Sequence, residues 1–361
     1  MAYTDIDKPE DYFNTVLYTG NGSSQSITGV GFQPDLLWIK SRGLAGNHFL
    51  SDIIRGSTKR LKSNASDAED TITSLSSFDS DGFTLSNTGY NGSGETFATW
   101  NWLASNTTAS NTNGSITSTV SANTTSGFSI VSYTGNGTAG ATIGHGLSSS
   151  PKVVIIKSRS LDRNWMFGSD LLGWGYYLLL NSTTASTDDT GLWNNTAPSS
   201  SVVTLGNYTV LNGSGSTYIA YCFAEKKGFS KFGSYTGNGS TDGTFVYTGF
   251  KPAWVLVRHT NSAGENSFIC DNKREGYNAE NNRLIPNLTA VEQSDSPIDI
   301  LSNGFKARET GNKVNGSGRN YIYMAFAENP FVTSTGIPTT ARWYNEIYIS
   351  LFNLLCYNRL L

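Results

Sequence analysis

The sequence predicts an all-β protein, three tandem antiparallel β-sandwiches of jelly-roll or concanavalin-like type followed by a short apolar C-terminal tail. Three observations carry this. Tyr-Thr-Gly-Asn-Gly stands at Tyr18–Gly22, Tyr133–Gly137 and Tyr235–Gly239, and each copy is followed by Asn-Gly-Ser-Gly, at Asn91–Gly94, Asn212–Gly215 and Asn315–Gly318. The steps between copies are 133−18 = 115 and 235−133 = 102 residues, too long for a solenoid unit of roughly 20–50 residues and enough to close a separate core. Within each copy, alternation of period two and short apolar runs between turn residues dominate, with almost nothing at helical spacing.

In chain order, the first sandwich is expected over 1–108, the second over 109–227, the third over 228–330 and the tail over 331–361. In the second copy, strands are expected at Phe128–Tyr133, Lys152–Arg159, Asn164–Gly168, Tyr176–Asn181, Ser201–Leu205 and Thr217–Ala224, where β-branched and aromatic residues lie between Gly, Asn and Ser turns. Pro34–Arg42, Pro151–Arg159 and Pro252–Arg258 share a proline, an apolar run and a basic end. That pattern predicts a central strand buried on both faces, with proline at its entrance and the basic residues marking the return to solvent. The final strand recurs as Thr96–Trp102, Thr217–Phe223 and Asn320–Phe326, and its repeated aromatics belong to the core. The Ser/Thr/Asn stretch Ser105–Asn113 reads as a flexible joint, with Ser115–Val120 alternating as a strand would. Glu225–Gly228 is a shorter junction, so the second and third sandwiches should be coupled more rigidly than the first and second. The apolar run Ile347–Cys356 is too short to cross a bilayer.

Composition narrows the function classes. Charged residues make up 15% of the chain, aromatics 12%, and the net charge is −3 with no basic run, which argues against nucleic-acid binding. Neither membrane insertion nor a secretory signal is expected, because Met1–Asp7 has no basic or apolar region of the required kind. Cys222, Cys270 and Cys356 form no short pair, and Cys222 reads as a buried thiol in a strand.

No catalytic set, metal site or cofactor is expected. Asp52, Asp170 and Asp271 each close an aromatic-containing segment, but the same acid in three copies reads as a turn cap, since glycoside hydrolysis needs two different facing carboxylates. Asp79–Gly82 lacks the further acids of a calcium loop, and its counterpart Ser302–Gly304 points to a type I′ hairpin turn. His48, His145 and His259 fall in unlike contexts and form no nucleophilic triad. The binding candidates are aromatics outside the repeated strand positions: Trp165, Trp174, Tyr176, Trp193 and Tyr277, with Trp174 between Gly173 and Gly175 expected at an exposed loop tip. Asp188, Asp189, Glu265 and Glu280 are the acids that would have to meet beside Trp174 or Tyr277 in a hydrolase.

Trp193–Pro198, Ala220–Glu225, Gly228–Gly239, Val246–Val257 and Ala325–Phe331, with Asp35–Arg42 and His48 in the first copy, resemble the repeats of virion structural and tail-fibre-like proteins of marine bacteriophages, cyanophages among them. The resemblance runs from about Tyr12 to Arg342. It implies a non-enzymatic virion component, made in the host cytoplasm, that assembles with other virion proteins and with copies of itself and meets host surface polysaccharide. The alternatives are a glycan depolymerase on a sandwich fold and an architectural decoration protein without host contact.

Overall fold

The computed structural model describes residues 2–339 apart from 87, 276, 277 and 279. The chain is all-β with sandwich-like antiparallel sheets, and its only helical elements among these residues are single 3-10 turns at Pro9–Asp11 and Thr88–Tyr90. All six strands expected in the second copy are present, as Phe128–Thr134, Val153–Ser158, Met166–Ser169, Tyr176–Leu179, Val202–Leu205 and Thr217–Phe223.

Each repeat builds one inner sheet in the same order. In the first repeat it is Phe13–Thr19, Thr96–Trp102, Leu36–Ser41 and Phe49–Asp52; in the third it is Ser230–Thr236, Asn320–Pro330, Phe250–His259 and Phe268–Asp271. The second repeat keeps this order and lengthens it to eight strands, adding Ala109–Asn111 and Ser118–Asn123 at one edge and Tyr176–Leu179 and Thr187–Asp188 at the other. A smaller outer sheet covers one face of each inner sheet: Gln25–Thr28, Gly82–Leu85 and Leu75–Asp79 in the first repeat, Ala141–Gly144 with Val202–Leu205 in the second, and Phe245–Tyr247, Gly304–Ala307, Gln293–Leu301 and Glu280–Arg283 in the third.

Side-chain alternation along the inner strands explains how the repeats join. On Thr96–Trp102, Phe97 points into the repeat's own core with Tyr18, Leu37 and Phe83, whereas Ala98, Trp100 and Trp102 point the other way. The same split holds on Thr217–Phe223, where Tyr218 and Ala220 face inward and Ile219, Tyr221 and Phe223 face outward, and on the third repeat's Ile322, Met324 and Phe326. The outward sets of all three repeats meet in one fourth core, in which Phe13 stacks on Phe326 at 5.2 Å and Trp254 meets Trp102 edge-on at 5.7 Å. Both faces of every inner sheet are therefore buried, which is why the central strands read as continuous apolar runs.

This shared core replaces the graded coupling expected from linker length. The segment expected as a joint is also held: Asp35 Oδ2 accepts the N–H groups of Ala104 and Asn106, Ser105 bonds Ser121, and Ala109–Asn111 is a strand. Two further expectations are corrected. Pro252 lies inside its strand at a register shift, where a missing N–H is tolerated, rather than at the entrance. The basic residues Lys40, Lys157 and Arg258 are buried instead of returning to solvent.

Candidate functional site

The signature motifs are one interlocking device, made three times. Asn91, Asn212 and Asn315 are fully buried, and their side-chain oxygens accept the N–H groups of Asn21, Asn136 and Asn238. Tyr18, Tyr133 and Tyr235 donate their hydroxyls to Tyr90, Leu211 and Val314 carbonyls. Gly20, Gly135 and Gly237 have no room for a side chain, because a Cβ would lie 2.2, 2.5 and 2.4 Å from the carbonyl oxygens of Gly92, Gly213 and Gly316. The repetition is thus structural. Gly82 and Gly304 are likewise set by a close approach: a Cβ on either would lie 2.0 Å from the carbonyl of Ile27 or Val246. The hairpins there are not type I′, since neither Ser80, Asp81, Ser302 nor Asn303 has a positive φ.

The aspartates tie repeats together. Asp52 caps its turn through the N–H groups of Ile54 and Arg55, pairs with the Arg55 guanidinium at 2.5 Å, and accepts the hydroxyl of Tyr221 from the second repeat at 2.8 Å. Asp271 does the same with Lys273, Arg274 and, from the first repeat, the indole N–H of Trp100 at 2.9 Å. Burial pulls the Arg55 and Arg274 guanidinium groups down, but the carboxylates beside them more than compensate and hold both above their ordinary value. Glu69 and Glu292 extend the two clasps to Arg159 and Arg42 of the neighbouring repeats.

Asp170 does not belong to this set, which corrects the expectation of three equivalent acids. Strand register places Asp52 opposite Leu36, Asp271 opposite Trp254 and Ser169 opposite Val153, so Ser169 is the second repeat's counterpart. Its hydroxyl caps the turn through the N–H of Leu171, and Leu172 and Met324 stand where the other clasps have arginine and an aromatic donor. The third junction therefore has apolar side chains in place of this clasp. All three junctions nevertheless share one main-chain bond of 2.8 Å, from Glu69, Ser186 and Glu292 to Arg159, Thr260 and Arg42.

The buried cations also serve junctions. The Lys157 ammonium donates to the carbonyls of Ser158 and of Ser66 in the first repeat, and Arg258 donates to Thr184 in the second. Burial pulls Lys40 and Lys157 down to about 8 and His48 down to about 3. His48 accepts the Trp38 indole N–H on Nδ1, while its Nε2 bonds the Ile285 carbonyl of the third repeat.

Of the aromatic binding candidates, three are core. Trp165 and Trp193 are fully buried, and Trp174, expected at a loop tip, is 6% exposed, packed edge-on to Trp193 at 5.4 Å with its N–H on Asp170. Gly173, at φ +81°, turns the chain beside it, and the ring lies inward. Tyr176 is exposed at 40%, and Tyr277 lies outside the described residues. Burial pushes the Cys222 thiol up to about 12. Among the described residues no group of three or more His, Cys, Asp or Glu is placed to hold a metal ion, and no helix is long and apolar enough to cross a membrane.

An open cavity of about 320 Å³ lies where the N-terminal arm crosses the junction of the second and third repeats. Asp5 and Asp7 anchor the arm, through the main chain of Lys227 and through Ser334. Tyr3 and Tyr247 line the cleft, each 59% exposed, with Phe331, Glu225 and Lys231. Sequence reading passed over both tyrosines, although the copies held a signal: Tyr247 occupies the register of Thr28 and Gly144.

No curated protein and no solved structure matches the chain. One family model spans all three repeats, matching residues 8–330, and the chain therefore belongs to the family described as Domain of unknown function (DUF7483).

Proposed function

We propose that the chain is a non-enzymatic structural component of a bacteriophage particle, a tail-fibre or appendage piece that sits among other virion proteins and touches host surface glycans. In this reading the three repeats are tandem sandwich domains of jelly-roll or concanavalin-like type, acting as one stiff body. The observation that carries it is the fourth core, in which Phe13, Trp102, Phe223, Trp254 and Phe326 lock three inner sheets face to face. Such a body transmits force and position without hinges, as an appendage requires. The prominent acids support the same reading: Glu69 and Glu292 form ion pairs that join repeats, and Asp52 and Asp271, each paired with an arginine of its own repeat, accept a hydrogen bond from the neighbouring one. The near-neutral surface suits polysaccharide better than a polyanion.

Immunogold labelling of purified particles, with antibody raised against the full-length protein, tests this. Labelled particles, and binding of the protein to host cells without shortening of their isolated polysaccharide, are expected. Abundant protein in infected cells with unlabelled particles would overturn the virion assignment, and steady shortening of the polysaccharide would replace it with a depolymerase.

A further inference from the structure

We propose that the cleft between the N-terminal arm and the third repeat is a binding site for a neutral oligosaccharide, with Tyr3 and Tyr247 as stacking platforms. This deepens the functional reading above and rests on its glycan contact. Tyr3 packs along the bare backbone of Gly336, where a Cβ would lie 2.9 Å from Cε2, while Tyr247 stands beside Gly249, where a Cβ would make ordinary contact at 3.6 Å from the hydroxyl. Both glycines have left-handed φ, +86° and +83°, and both rings keep most of their surface in the open. Exposed aromatic faces suit the C–H face of a pyranose.

The polar lining selects the ligand's charge. Lys231 and Glu225 form a 2.7 Å ion pair beside the rings, presenting N–H donors and a carboxylate acceptor together, while the second lysine of the lining, Lys227, donates to the Ala2 carbonyl of the arm. That pairing matches sugar hydroxyls, which both donate and accept, whereas a phosphate or uronate would face the carboxylate. The cleft's 320 Å³ falls at the low end of small-molecule sites, roughly 300–1,000 Å³, and it is open at its side, which suits a chain lying across it. Tyr247 also breaks the repeat: an exposed aromatic replaces the Thr28 and Gly144 of the other copies, at a position where the outer sheet itself needs none.

The full-length protein is tested on an array of defined neutral and uronic-acid oligosaccharides, and the strongest binder is titrated by calorimetry. Tyr3→Ala and Tyr247→Ala should each weaken it about tenfold, corresponding to about 1.4 kcal/mol for one lost stacking contact. Tyr247→Phe should retain most of the affinity, and unchanged urea midpoints will show that the variants fold. Absence of neutral-glycan binding, binding confined to uronic acids, or binding indifferent to both alanine variants would each overturn the assignment. Glycan binding by a protein that does not label particles would leave this site standing and remove the virion reading instead.

Discussion

Replacing Arg55 by leucine tests whether the clasps hold the repeats together. The Asp52–Arg55 pair is fully buried on both sides, and Arg55 also donates to the Leu50 carbonyl and meets Glu69. Removing the cation leaves Asp52 with two N–H groups and the Tyr221 hydroxyl but no charge partner, a loss of about 3–5 kcal/mol for a buried pair. With an unfolding entropy near 2.1 cal/mol/K per residue over the roughly 330 described residues, that is a fall of about 4–7 °C in Tm. The second repeat supplies the control. The triple variant Asp52→Ser, Arg55→Leu, Tyr221→Met copies the Ser169, Leu172 and Met324 junction and buries no charge. It should recover most of the loss, because a well-packed apolar substitute for a buried pair is often neutral or better. Differential scanning calorimetry of the three proteins decides. A single variant within about 1 °C of wild type, or a triple variant no better than the single, would refute the reasoning.

Two further outcomes follow from the buried groups. Lys40 and Lys157 titrate near 8 when folded and at 10.5 when unfolded, so between those values the unfolded chain binds more protons and stability rises with pH. Urea unfolding from pH 7.5 to 8.5, below the range where the unfolded Cys222 thiol (buried near 12 when folded) and the tyrosines deprotonate and would pull the other way, should show that slope, and Lys40→Met with Lys157→Met should flatten it. Gly237→Ala forces a Cβ to 2.4 Å from the Gly316 carbonyl, where only backbone can move, and should lower stability by about 2–4 kcal/mol in the same assay.

Much of the fold could be read from the residues because it depends on local pattern. Alternation placed the strands, and continuous apolar runs marked the central strands as buried on both faces. What covered the second face was not local information. The partners of Trp100, Tyr221 and Met324 come from other repeats, so linker composition suggested a loose joint where a shared core exists. The basic ends of the central strands misled for the same reason: a lysine next to a neighbour's carbonyls, as Lys157 is to Ser66, looks like any surface lysine in sequence.

The site was harder, because reading it required subtracting the repeat before looking for chemistry. Trp174 was singled out for its flanking glycines, yet glycine indicates only that the backbone turns sharply or is closely approached, and here the ring folds back on Trp193. Asp170 looked equivalent to Asp52 by eye, whereas strand register shifts it by one residue and hands its role to Ser169. Once positions are aligned by register, repeated triplets such as Asn91, Asn212 and Asn315 explain themselves as locks inside each repeat. The informative positions are then those where one copy departs from the other two at the surface. Tyr247 is such a departure, and its neighbour Tyr3 comes from outside the repeats altogether, so a function specific to this chain is best sought where those two rings share a cleft.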